Sequence, residues 1–367
     1  MRLTITTAQS PHRLALILWA AVLALLTADS TAGTLTVKTN KLAATPNLLA
    51  YNAAHFYPGS NTREWWRYSG VTGARVFLSA GLLDSAQDIT VSGSGVTSQA
   101  TFLSRKAVVR ANPLSTNYIN WPTITNCYAI AAYHGANLIQ PAYALSQLRH
   151  AGVQILVCIT ASQSTFVIGS ASDWTGQWEL WQFYYAQAFY LARGWDVQRF
   201  QMYNEPDLNN SIAQTAYLTR LQLVSDAVQC ALADVNSLYG KSLAPSIHAP
   251  VDTTSSYNGW GQLVVTNRHQ NFLGQTDSSF WLLHNYDYHQ YNSSPVQFGS
   301  NLAALRSALT SAMAPEPAFP SSISEFNVHT AGVFDTIPDT LDYPSQYPNL
   351  GAIAVNQIGR ASCRERV

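Results

Sequence analysis

The chain has 367 residues, 47% of them hydrophobic and only 11% charged, against about 25% charged in an average domain. Its 20 basic and 20 acidic groups balance, so nothing asks for nucleic acid or an anionic membrane surface as a partner. Ser, Thr, Asn, Gln, Tyr and Trp fill the polar positions instead, a surface suited to neutral, hydrated partners. The cysteines show no metal-knuckle spacing, and Cys158, inside an apolar run, reads as a small buried hydrophobe.

Basic groups at Arg2 and Arg13, an apolar run over 14–26 and the small residues Ser30, Thr31 and Ala32 form the pattern of a secretory signal peptide, residues 1–32. The run is shorter than the roughly 20 residues a membrane span needs. The chain is therefore expected to be secreted, extracellular or periplasmic, with no membrane attachment after cleavage. Residues 33–47 form an N-terminal segment in which 34–38 read as a short accessory strand. At the other end, residues 358–367 bring three arginines and a cysteine into a chain poor in charge. They match the translation of a common sequencing-library adapter, whose next triplet is a stop, and are expected to be an assembly scar after a chain that continued past Gln357.

Between these ends, short apolar runs alternate with helical patterns, the signature of parallel β/α units. Residues 48–52 read as a first strand, 62–69 as its helix and 73–78 as a second strand. The Ser/Gly/Asn-rich stretch 85–125 reads as an unusually long loop. A helix over 142–150 leads into a β-branched strand, 153–159. Trp178, Trp181, Tyr185, Ala188 and Ala192 recur at helical spacing, ended by Gly194. Strand 197–203, helix 213–238, strand 246–249, strand 280–284, helix 302–312 and strand 321–325 follow, and 347–357 would begin a seventh helix. The predicted fold is an α/β (β/α)8 barrel over 48–357, incomplete before its eighth strand.

Strand 197–203 runs into Asn204, Glu205 and Pro206, and strand 321–325 ends at Glu325. In a parallel barrel every strand opens at its C-terminal end on one face, so two acids distant in sequence can share a pocket. Cleaving a glycosidic bond needs two such carboxyls, one to protonate the leaving oxygen and one to meet the oxocarbenium-like centre.

On these residues the chain resembles the large clan of retaining (β/α)8 glycoside hydrolases. The resemblance implies Glu205 as acid/base at the end of strand four and Glu325 as nucleophile at the end of strand seven. It implies further that Arg75 orients the nucleophile and Asn204 binds the sugar hydroxyl next to the reacting carbon. In 284–286, His284 and Tyr286 are similar to the clan's His-x-Tyr after strand six, whose tyrosine bonds the nucleophile. The nearest resemblance is to β-agarases, β-porphyranases and xylosidase-like relatives. The implied activity is cleavage of a β-linked polysaccharide or oligosaccharide with retention, without a cofactor. A non-catalytic carbohydrate-binding barrel and an inactive gene fragment are the alternatives.

Asn52 and His55 fall at and just after the end of the first strand and are candidates for substrate contact; loop-stabilising hydrogen bonds would explain them equally. His284, Asp287 and His289 match none of the usual zinc spacings, so no metal is expected. Trp121 and Trp260 fall in predicted loops, where an indole can stack on a sugar or pin its own loop. No phosphate loop, dinucleotide fingerprint or Ser-His-Asp order has a fitting context.

Overall fold

The computed structural model describes residues 50–51, 72–79, 95–130, 132–134, 137–160, 173–208, 212–290 and 295–326. All fall in one compact unit, Ala44–Val367. The signal-peptide, accessory-strand and adapter segments, the helix expected over 62–69, residues 347–357, Asn52 and His55 lie outside the described residues.

The strands are β1 (Ala50–Tyr51), β2 (Gly73–Ser79), β3 (Ala132–His134), β4 (Asn137–Ile139), β5 (Gln154–Thr160), β6 (Arg199–Gln201), β7 (Ser246–Asp252), β8 (Asn285–Gln290) and β9 (Ser321–Phe326). Seven form one sheet in the order β1-β2-β5-β6-β7-β8-β9, every pairing parallel; β3 and β4 make a separate antiparallel pair. Parallel strands need crossovers and both faces covered. The helices are α1 (Gln99–Ala111), α2 (Trp121–Ala129), α3 (Pro141–His150), α4 (Trp174–Trp195), α5 (Gln214–Tyr239), α6 (Gly259–Thr266) and α7 (Pro295–Met313). None of them is long and apolar enough to cross a membrane.

The sheet is curled. In a flat sheet β2 and β9, five pairings apart, would stand about 24 Å from each other at about 4.8 Å per strand. Yet Arg75 Nη1 of β2 donates to Glu325 Oε1 of β9 at 2.5 Å. The strands therefore form a barrel wall with a common interior, which is the α/β architecture expected. An eighth strand is not found among the described residues.

Around the wall, α4 is buried nearly all round. Trp178, Trp181 and Tyr185 are buried and stack in series at 5.4 and 4.9 Å, so the aromatic stripe is helix packing. Cys158 is buried in β5.

Four expectations are corrected. The long loop over 85–125 contains α1 and the start of α2. Ser98 and Thr101 close a capping box at the start of α1, and Phe102 packs edge-on to Trp174, Trp178 and Trp181. The Ser and Thr residues that read as loop are thus the helix's punctuation. Trp121 opens α2, buried, with its Nε1–H given to Pro113 O, and Trp260 lies in α6 against Tyr217. Gly194 lies within α4; the stop is Asp196, in left-handed conformation with φ 58°.

The fourth correction moves the site. Residues 280–284 do not form the sixth sheet strand; it is Asn285–Gln290. Phe280, Leu282 and Leu283 are buried in the core before the strand, whereas β8 carries polar Asp287 and His289 toward other polar groups of the wall. Apolar content marks the wrong segment because a barrel strand that lines a polar interior is itself partly polar.

Candidate active site

Two irregularities at the strands' C-terminal ends aim the residues that gather there. In β7 the register passes from Pro250 opposite Asp287 to Asp252 opposite Tyr288, leaving Val251 as an extra residue at φ 63°. A β-branched residue avoids that conformation unless its surroundings impose it. Val251 O accepts the backbone N–H of Glu205 at 3.0 Å, and Glu205 is itself left-handed at φ 50°. Asp207 completes the clasp by accepting Thr253 N–H at 3.0 Å and Thr253 Oγ1–H at 2.5 Å. The turn after β6 is thereby tied to the end of β7, and Glu205 is carried on it. In β9 the pairing passes from Ile323 opposite Tyr288 to Glu325 opposite His289, a second bulge at Ser324. Bulges re-aim side chains at barrel rims.

The outcome is one cluster. An oxygen of Glu205, an oxygen of Glu325 and a ring nitrogen of His289 all lie within 4.8 Å of one another. His289 Nδ1 is 2.8 Å from Glu205 Oε1 and 3.8 Å from Glu325 Oε2. Arg75, only 2% exposed, donates to Glu325 at 2.5 Å, to Asn204 Oδ1 at 2.8 Å and to Gln201 Oε1 at 2.6 Å, with its guanidinium over the Phe77 ring. The glutamate side chains remain 15% and 17% exposed, so both are reachable at the mouth of a buried network.

Four of the residues singled out in the sequence, Arg75, Asn204, Glu205 and Glu325, are therefore brought together. His284 and Tyr286 are not. The register shift of the sixth sheet strand places His284 before β8, at the opposite end from Glu205, where its Nδ1 faces the backbone N–H of Ile247 at 3.4 Å. Burial, aided by the charge of His248, pulls the His284 imidazole down to about 4. Tyr286 pairs with Ser321, well short of the level of Glu325, and its hydroxyl packs against Gly261 of α6. The residue that meets the glutamates from this strand is His289, which sequence reasoning weighed only as a metal ligand. A signal existed: in β8 the polar residues Asn285, Asp287 and His289 alternate at strand period.

Glu205, His289 and Glu325 have a spacing that could surround a cation. Glu325 already holds the Arg75 guanidinium in direct contact, and a fixed cation on one ligand opposes a second. The set is better suited to holding two carboxyls in different environments. Behind the site Asp252 is wholly buried, and its oxygens have no hydrogen-bond partner among the described residues. Nearby Asn258 gives its amide hydrogen to Thr254 Oγ1. Burial first, then the charge of Asp207, pushes the Asp252 carboxyl up to about 8.

Fold and cluster together define a parallel α/β barrel wall with two convergent carboxyls at the strands' C-terminal ends. No protein-family model matches the chain, and no curated protein matches it. Among solved structures, a glucosidase from Croceicoccus marinus aligns at 14% identity and TM-score 0.47, over 82% of this chain and 54% of that one. A family 51 α-L-arabinofuranosidase from Bifidobacterium longum aligns at 11% identity and TM-score 0.45, over 81% and 59%. An endoglucanase from Pseudomonas stutzeri aligns at 12% identity and TM-score 0.44, over 85% and 80%. The chain thus spans little more than half the length of the first two.

Proposed function

We propose that this protein is a secreted glycoside hydrolase that cleaves a β-linked polysaccharide or oligosaccharide with retention of configuration. The observation that carries the reading is the convergence of Glu205 and Glu325, from the ends of β6 and β9, to within 4.8 Å between carboxyl oxygens. Retaining enzymes hold their two carboxyls about 5 to 5.5 Å apart, whereas inverting enzymes leave room for a water at roughly 6.5 to 9.5 Å. The environments divide the roles. Glu325 is paired with the buried guanidinium of Arg75, which favours the ionised carboxylate a nucleophile needs. Among the described residues Glu205 pairs with His289 and with no arginine.

In the first step a Glu325 oxygen attacks the anomeric carbon while Glu205 gives its proton to the leaving glycosidic oxygen, and the C–O bond to the leaving group breaks. In the second, Glu205, now ionised, takes a proton from water, whose oxygen displaces Glu325 from the sugar. Asn204 has its carbonyl oxygen occupied by Arg75, which leaves its amide hydrogens for the neighbouring sugar hydroxyl.

Substitution at the two positions tests this. Glu325→Ala should abolish turnover on every substrate, with azide restoring part of the rate as a glycosyl azide of inverted configuration. Glu205→Ala should keep cleavage of glycosides whose leaving group needs no proton, and lose the rest by about 10²- to 10⁴-fold. Glycan binding without hydrolysis by the unaltered protein would favour a carbohydrate-binding barrel; neither binding nor hydrolysis would favour an inactive fragment.

A further inference from the structure

We propose that Gln201 and His248, two buried residues of the barrel interior, are positioning residues that hold Arg75 on Glu325 by keeping a second carboxylate, that of buried Asp287, away from it. The inference rests on the reading of Glu325 as nucleophile.

The problem these residues solve is one of charge. Two interior carboxyls, Glu325 and Asp287, lie near one guanidinium. Asp287 is wholly buried, and an ionised carboxylate there would compete for Arg75. The structure places a neutral amide between them. Gln201 Oε1 accepts Arg75 Nε–H at 2.6 Å, and Gln201 Nε2 donates to Asp287 Oδ2 at 2.6 Å and to Ser324 Oγ at 3.2 Å. An amide satisfies a donor on one side and an acceptor on the other with a single orientation, so Gln201 cannot turn without breaking both contacts.

Asp287 is occupied from its far side. His248 Nδ1 lies 3.0 Å from Asp287 Oδ2 and 3.2 Å from Ser322 Oγ. Ser322 gives its hydroxyl hydrogen to Asn285 Oδ1 at 3.1 Å, so Nδ1 carries the hydrogen and donates to Asp287. The other oxygen, Oδ1, accepts Ser324 N–H at 3.2 Å. Ser324 is the bulge residue next to Glu325, so the same carboxylate also steadies the backbone that aims the nucleophile. Burial would raise the Asp287 carboxyl; the hydrogen bond and charge of His248, with Arg75 and His289, outweigh it and hold the group below its ordinary value. The chain runs His248, Asp287, Gln201, Arg75, Glu325, drawing on β7, β8, β6, β2 and β9.

The test uses the full chain and reads the Glu325 carboxyl by carbon NMR in glutamate-labelled protein, assigned through Glu325→Gln. In Gln201→Met, close in shape but unable to accept or donate these hydrogen bonds, Arg75 loses its anchor, and the Glu325 titration midpoint should move up by about one pH unit. The kcat of glycosyl transfer to the enzyme should fall roughly tenfold or more with KM little changed, because the loss is in the transition state. His248→Ala removes the hydrogen bond that holds Asp287 Oδ2 in place for Gln201 Nε2, so it should loosen the Gln201–Arg75 contact and move the midpoint the same way, and His248→Asn, which keeps a donor near Nδ1, should restore it. The His248 pair decides the question if Gln201→Met does not fold. An unchanged Glu325 midpoint in His248→Ala and in folded Gln201→Met would overturn the proposal. Retained activity in Glu325→Ala would instead overturn the nucleophile assignment, while the titration would still report on the chain.

Discussion

Two ionised carboxylates as close as Glu205 and Glu325 repel, and the cluster separates their environments by giving each a different neighbour: Arg75 for Glu325 and His289 for Glu205. His289 is itself wholly buried, so its ring is held by packing and can fix the carboxyl it touches. Removing it should therefore harm proton delivery more than nucleophilic attack. His289→Ala is expected to lose about 10- to 100-fold in kcat on natural glycosides and much less on glycosides with activated leaving groups. Equal losses on both classes would show that the ring does not serve Glu205. At this scale Asn204 and Glu205 were legible because Pro206 marks the end of their strand, Glu325 because it closes an apolar segment, and Arg75 through the resemblance alone. His289 and Gln201 were not, since their meaning depends on which residues of other strands stand opposite them.

Between elements, a close fit lies where Gly261 of α6 meets Tyr286 of β8. A Cβ built on Gly261 would sit 2.2 Å from Tyr286 Oη and 3.1 Å from Tyr286 Cζ. The tyrosine is wholly buried and cannot swing aside. Gly261→Ala should accordingly destabilise the protein by about 1 to 3 kcal/mol in urea unfolding despite alanine's better helix propensity. Tyr286→Phe should recover part of that loss when combined with it, because the hydroxyl is the closest atom and the ring carbon stays tight. Strictly additive losses in the double variant would contradict this contact as the cause. A resemblance in sequence assigned Tyr286 to the nucleophile; in the fold its hydroxyl is the reason α6 needs a glycine.

Across the whole molecule, two groups set opposing pH dependences. Asp252 has a folded value of about 8 against an ordinary 3.8. Between these values the unfolded chain has released its proton and the folded protein has not, so stability falls as pH rises, by up to about 1.4 kcal/mol per unit. His284 has a folded value of about 4 against 6.5. Between those values the unfolded chain holds the extra proton, so stability rises with pH. The two slopes largely cancel from about pH 4 to 6.5 and leave Asp252 alone from about 6.5 to 8. Melting temperature should then decline over that upper window, and Asp252→Asn should flatten the decline. A variant that melts with the same pH slope as the parent protein would remove Asp252 as its origin.

The sequence by itself determined the alternation of strands and helices, the parallel class of the sheet and the placement of Glu205 and Glu325 at strand ends. These follow from local hydrophobic period and from turn chemistry at Pro206. Only the tertiary structure decided that the Ser- and Thr-rich stretch after β2 holds a capped helix, because Phe102 needs the tryptophans of α4 to make that helix stable. The same holds for the start of β8. The apolar run before it is buried against the core, and the polar strand after it makes sense only once Gln201, His248 and Arg75 stand across the interior to satisfy Asp287. Register is a property of pairs of strands, and no single strand's residues state it.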